Sequence, residues 1–167
     1  MAGKRDFISI TDLTSQEIFS IVDRARELKD MPGSRPLNGV RVALLFEKPS
    51  LRTKVSFQIG IQELGGFSLY LGPDEVGLGA REPVSDVSKV LSGYVDCIVA
   101  RVFSHEMLQE LACYSSVPVI NALSDREHPC QIMSDLLTIS ENKGRLNSLK
   151  LAYVGDGNNV ARTLCLG

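Results

Sequence analysis

Short apolar runs alternate along the chain with segments whose apolar positions recur every three or four residues. The first periodic segment opens on Thr14-Ser15-Gln16-Glu17, a capping box, and places Ile18, Ile21, Val22, Ala25 and Leu28 on one face. It predicts a helix to about Asp30, stopped by Pro32-Gly33. Strands are expected at 40–46, 67–71, 96–102 and 117–121. Helices fall between them at 51–64, closed by Gly65-Gly66, at 83–94, and from the Ser104 cap to about Ser115. A glycine-rich loop occupies 72–82, and Pro129 suits the first turn of a helix to about Asn142. Near-continuous Val/Ile/Leu strands separated by helices predict an α/β fold: a four-stranded parallel sheet with helices on both faces. A fifth strand is expected at 150–154, leading into Gly155-Asp156-Gly157-Asn158-Asn159 and the start of another helix.

These runs divide the chain into a first domain over 1–142, a linker over 143–148, and residues 149–167 as the opening of a second α/β domain. One strand and a few helical turns cannot bury their own faces, so the second domain is expected to be truncated. The 167 residues suffice for one well-buried core, and 44% hydrophobic with 23% charged residues fit an ordinary globular protein. A net charge of −2 supplies no basic field for nucleic acid, and 6% aromatic content is too sparse for base stacking. The opening Met1-Ala2-Gly3-Lys4-Arg5-Asp6-Phe7 has no long apolar run behind it, so no signal peptide is expected, and no apolar stretch approaches a membrane span. Cys97, Cys113, Cys130 and Cys165 include no Cys-x-x-Cys pair and are expected to be reduced, buried thiols rather than disulfides or a metal site. Together these features predict a cytoplasmic protein without metal or cofactor.

Chemistry concentrates in Glu47-Lys48-Pro49-Ser50-Leu51-Arg52-Thr53-Lys54, where the first strand turns into a helix. Free N–H groups at the helix start, the positive end of its dipole, two hydroxyls and a guanidinium suit a phosphate. The dipole contributes about 0.3–1 kcal/mol per charge, and each charge-assisted hydrogen bond about 1.5–3 kcal/mol. Ligands of open parallel sheets bind beyond the carboxyl ends of the strands. Arg101 ends the third strand, Asn121 the fourth, and His128 and Gln131 open the helix after it. Each has a plainer alternative. Ser50 can be only an N-cap, Arg52 and Lys54 a solvated face, and Arg101 a partner of Glu106. His128 can satisfy a loop carbonyl, and Gln131 alone is uninformative. What favours a site is the delivery of all of them to one sheet edge. Gly155-x-Gly157 lacks the third glycine of a dinucleotide fingerprint, since Val160 stands there, and a polar turn explains it equally well.

At these residues a family resemblance becomes specific. Ser50-Leu51-Arg52-Thr53-Lys54 resembles the Ser-Thr-Arg-Thr-Arg motif of the aspartate and ornithine carbamoyltransferases. Arg101 matches that family's second arginine, and His128-Pro129-Cys130-Gln131 its His-Pro-x-Gln. The likeness extends from Phe7 onward in order and spacing. Phe46-Glu47-Lys48-Pro49-Ser50, Leu123-Ser124-Asp125 and Gly155-Asp156-Gly157-Asn158-Asn159-Val160-Ala161 are similar to the ornithine branch. The resemblance implies carbamoyl transfer from carbamoyl phosphate to the side-chain amine of L-ornithine, giving citrulline and phosphate.

It also implies residue roles. Ser50, Leu51 (through its backbone), Arg52, Thr53, Arg101, His128 and Gln131 would bind carbamoyl phosphate, with Arg52, Arg101 and His128 catalytic. Asn159 would contact ornithine, and the assembly would be a homotrimer or a multiple of trimers. The chain departs from the pattern at Leu51 and Lys54, at Arg162-Thr163, and at Gly77, where many members place a side chain that enters a neighbouring subunit's site. The His-Cys-Leu-Pro and Ser-Met-Gly segments of the family's second domain do not occur. The chain alone is therefore expected to bind carbamoyl phosphate weakly and to turn over nothing. Aspartate carbamoyltransferase and a non-catalytic phosphate-binding module are the competing readings.

Overall fold

The computed structural model describes residues 3–31 and 33–167; Met1 and Ala2 of the opening segment and the expected Pro32 stop lie outside them. Helix α1 (Ser15–Asp30) starts on the capping box: the Thr14 hydroxyl accepts the Glu17 N–H, and the Glu17 carboxylate accepts the Thr14 N–H at 2.8 Å. Ile18 and Val22 are buried, whereas Ile21 stands exposed.

Strands β1 (Arg41–Phe46), β2 (Phe67–Leu71), β3 (Cys97–Arg101) and β4 (Val119–Leu123) form one parallel sheet in the order β2-β1-β3-β4. Strand side chains alternate between faces, so β1 feeds two cores. Ala43 and Leu45 pack with Ile98, Ala100 and Val119 against α4 (Val84–Ser92) and α5 (His105–Tyr114). Val42, Leu44 and Phe46 face the other way, onto Ile61 and Phe57 of α2 (Leu51–Glu63). A third cluster joins Ile10 and Ile18 to Ile132 of α6 (Pro129–Lys143), with Val160 and Leu164 of α7 (Asn159–Leu166) packed against it. The glycine-rich loop contains one helical turn, α3 (Pro73–Val76).

The strand order positions the site. The chain steps from β1 outward to β2, then returns to place β3 on the opposite flank of β1. That reversal is the topological switch point at which open sheets part their loops to admit a ligand. Phe46 pairs with Arg101, and Arg101 with Leu123 across an irregularity at Ala100/Arg101. The loops after β1, β3 and β4 therefore leave from neighbouring strands.

Two strand expectations are corrected. The fourth strand starts and ends two residues later than 117–121, because Pro118 has no N–H and the Val117 N–H is turned onto the Ser115 hydroxyl at 3.1 Å. Asn121 consequently lies inside β4 rather than at its end. The expected fifth strand at 150–154 forms no ladder, and Leu151 and Val154 are exposed. A strand needs a neighbour, and the outer edge of β4 is already bridged by Phe7, through Phe7 N–H to Val119 C=O at 2.9 Å and Asn121 N–H to Phe7 C=O at 2.8 Å.

Candidate active site

Beyond the carboxyl edge of β1, β3 and β4 lies a cavity of about 540 Å³. Ser50, Arg52, Thr53, Arg101, His128 and Gln131 all line it. Leu123 and Cys130, named above in the resembling segments, complete the wall together with Ser56, Phe57 and Ser134, which no sequence motif marks. Their signal was helical spacing. Ser56 and Phe57 sit one turn beyond Thr53, and Ser134 one turn beyond Cys130 and Gln131.

Ser50 is the N-cap of α2, its hydroxyl accepting the Thr53 N–H at 3.4 Å and donating to the Thr53 hydroxyl at 3.1 Å. The N–H groups of Leu51 and Arg52 have no intrahelical acceptor, as at any helix start, and are available to an anion. The Leu51 side chain is 79% exposed and outside the cavity wall, so this residue can offer only its backbone there.

Arg101 is buried at the end of β3, its Nε–H donating to the Lys48 carbonyl at 3.1 Å and a terminal N–H to the Thr53 hydroxyl at 3.4 Å. Its pKa is lowered, first by burial and second by the charge of Arg52. Two guanidinium groups thus face one cavity, and among the described residues no acidic one lines it. Glu106, the alternative partner considered for Arg101, is bound by Arg126 instead. The cavity is short of negative charge, which is the condition that favours an anionic ligand.

His128 is the N-cap residue of α6, and its pKa is lowered to about 4, by burial first and by Arg101 second. At neutral pH its ring is uncharged and carries a single N–H. Its Nδ1 is buried without a hydrogen-bond partner. The His128 main-chain N–H, by contrast, donates to the Thr163 hydroxyl of α7 at 2.9 Å. Gln131 gives its side-chain amide N–H to Asp135 at 2.9 Å, and the residue lines the cavity.

Three expected positions lie away from this wall. Asn121 turns its amide onto the Ile8 carbonyl at 2.8 Å, a consequence of its place within β4. Asn159 donates to the Ser124 carbonyl at 2.7 Å, so its amide nitrogen is committed to the loop that precedes His128. Gly77 ends α3 in the left-handed region at φ 51°, and a Cβ there would come within 2.8 Å of the Arg81 Cβ, which explains the glycine by backbone geometry. Gly155-x-Gly157 precedes α7 without a strand before it, and Asn158 caps that helix through the Val160 and Ala161 N–H groups. All four cysteines are free, but Cys113 and Cys165 are exposed, which corrects the expectation that all are buried. Among the described residues no cluster of side chains could hold a metal ion.

A family model described as aspartate/ornithine carbamoyltransferase, carbamoyl-P binding domain, matches residues 5–141. The chain belongs to this family. The carbamoyltransferase relatives include the ornithine carbamoyltransferase of Haloquadratum walsbyi, 46% identical over 167 residues, which are 100% of this chain and 56% of that protein. That of Methanocaldococcus jannaschii is 58% identical over 131 residues, 78% of this chain and 43% of that protein. The solved ornithine carbamoyltransferase of Pyrococcus furiosus superposes with a TM-score of 0.93 at 45% identity, covering 97% of this chain and 53% of that one. The chain thus spans about half the length of the carbamoyltransferases it matches.

Proposed function

We propose that this chain is the donor half of an ornithine carbamoyltransferase, binding carbamoyl phosphate for transfer of its carbamoyl group to the side-chain amine of L-ornithine. The observation that carries the reading is one anion-poor cavity walled by Ser50, Arg52, Thr53, Arg101, an uncharged His128 and Gln131. Membership of the family and the names of its relatives support the substrate pair.

In this reading Ser50, Arg52, Thr53 and the free N–H groups of α2 hold the phosphate and stabilise it as it departs. Arg101, His128 and the Thr53 hydroxyl donate to the carbonyl oxygen as the neutral ornithine amine attacks the carbon. Negative charge accumulates on that oxygen, and one well-placed donor there contributes about 2.7–4 kcal/mol. An uncharged His128 donates a hydrogen bond without giving up its proton. The Gln131 carbonyl orients the carbamoyl NH₂ group.

The proposal extends to domain organisation and setting: a carbamoyl-phosphate domain over 1–142, a linker over 143–148, and 149–167 belonging with the ornithine side, where Asn159 would contribute. A homotrimer with sites between subunits, the Gly77 loop reaching the interface, suits the exposed apolar stripe of Leu51, Val55 and Ile59 on α2. A cytoplasmic place in arginine synthesis completes the reading. Among the described residues no helix is long and apolar enough to cross a membrane.

Calorimetry of the 167-residue chain with carbamoyl phosphate, inorganic phosphate and NAD tests it. Carbamoyl phosphate should bind more tightly than phosphate, NAD should not bind, and no citrulline should form with ornithine present. Equal affinity for carbamoyl phosphate and phosphate would remove the carbonyl clamp from the reading. Citrulline formation would remove the division into donor and acceptor halves.

A further inference from the structure

His128 must present its ring to the carbonyl oxygen, yet among the described residues no hydrogen bond reaches the imidazole, and its Nδ1 is buried without a partner. What holds this residue is its main chain. The His128 carbonyl accepts the Gln131 N–H at 3.0 Å and the Ile132 N–H at 3.3 Å, tying it to the first turn of α6. Its N–H donates to the Thr163 hydroxyl at 2.9 Å, and that hydroxyl donates to the Asn159 carbonyl at 2.7 Å. A hydroxyl has one proton to give and can accept in return, so Thr163 is used in both senses. Its side chain is fully buried.

A second strut runs between the same two segments. The Asn159 side-chain amide donates to the Ser124 carbonyl at 2.7 Å. Ser124 is itself locked into the turn, its N–H donating to the Glu127 carbonyl at 2.9 Å and its hydroxyl accepting the Glu127 N–H at 3.2 Å. One face of α7 thus grips both ends of the Ser124 to His128 loop. Val160 and Leu164 of the same helix pack into the cluster that contains Ile132 of α6.

We propose that Thr163 is a positioning residue for His128, its hydroxyl fixing the histidine main chain so that the unanchored ring points at the carbonyl oxygen of carbamoyl phosphate. This assignment rests on the donor-site reading above. It couples α7, on the ornithine side of the chain, to the group that polarises the donor carbonyl. Thr163 is not among the residues that line the cavity, so its loss acts on ring placement and leaves the Ser50–Thr53 phosphate cradle intact.

The test compares Thr163→Val, which keeps the branched shape and removes the hydroxyl, with Thr163→Ser, which keeps the hydroxyl. Each is titrated calorimetrically with carbamoyl phosphate and with inorganic phosphate. Thr163→Val should bind carbamoyl phosphate about tenfold more weakly while phosphate affinity stays within about twofold, the size expected for one misplaced hydrogen bond. Thr163→Ser should restore the unsubstituted behaviour. An equal loss for both ligands, or no loss for either, overturns the assignment. Should Thr163→Val not fold, amide exchange of the unsubstituted chain decides: a His128 N–H as protected as those of the α6 interior supports the anchor, and a rapidly exchanging one overturns it. An unsubstituted chain that fails to prefer carbamoyl phosphate to phosphate overturns the donor-site reading itself, and this assignment with it.

Discussion

Replacing Arg101 with methionine should weaken ligand binding while leaving the empty chain as stable as before, or more so. Arg101 is a buried cation for which no carboxylate lies within ion-pair reach among the described residues. Its fold contacts are a 3.1 Å hydrogen bond to the Lys48 carbonyl and a long 3.4 Å one to the Thr53 hydroxyl. The first contributes about 1.5–3 kcal/mol as a charge-assisted bond, and the second less. Against this stand the desolvation of an unpaired charge, about several kcal/mol in a protein interior, and repulsion from Arg52. Methionine of similar length removes both penalties and fills the space. The net change without ligand is therefore about 0–2 kcal/mol in favour of the variant. With carbamoyl phosphate bound, the loss of one charge-assisted donor corresponds to roughly 10- to 150-fold in affinity. Urea unfolding followed by circular dichroism gives the first quantity, and calorimetry the second. A variant less stable than the parent by more than about 1.5 kcal/mol would make Arg101 a structural residue. An affinity changed less than about threefold would place it outside the site.

Four further outcomes follow from the same geometry. The His128 ring should titrate near pH 4 rather than 6.5 in a proton NMR series, and higher when Arg101 is removed; a midpoint near 6.5 would contradict its burial. Because the unfolded chain takes up that proton first, His128 costs no stability above pH 6.5, and the fold should weaken as pH falls from 6.5 towards 4. Ser50→Ala removes the α2 cap and should cost about 1 kcal/mol in urea unfolding together with a loss of phosphate affinity; retention of both would deny the hydroxyl either role. Alkylation at pH 8 should label the exposed Cys113 and Cys165 well before Cys97 and Cys130, whose thiols burial pushes up to about 11 and about 12. Mass spectrometry that finds Cys130 labelled as fast as Cys113 would contradict the second value.

Local codes were legible wherever the physics is local. The Thr14/Glu17 box and the Ser50 and Ser104 caps satisfy donors within three or four residues, Pro129 at a first helical turn has no N–H to satisfy, and each begins a helix where expected. Misreadings arose where the answer depends on a distant segment. The run 150–154 has strand-forming residues, but pairing is a property of two strands, and this run pairs with none among the described residues. Asn121 lies inside β4 because Pro118 lacks an N–H and the Val117 N–H turns onto the Ser115 hydroxyl, so that the strand begins later.

By itself, the order of residues determined an α/β chain with a phosphate-suited strand-to-helix turn, because apolar period and capping chemistry are written within a few positions. The tertiary structure decided the strand order, with β3 on the flank of β1, and so the one cavity in which the edge residues Arg101 and His128 meet Ser50. It also left Arg101 without an acidic partner among the described residues, lowered the pKa of His128 by burial, and set the Thr163 hydroxyl against the His128 main chain. Burial, strand order and electrostatic neighbours are sums over the whole fold, and no window of sequence contains them.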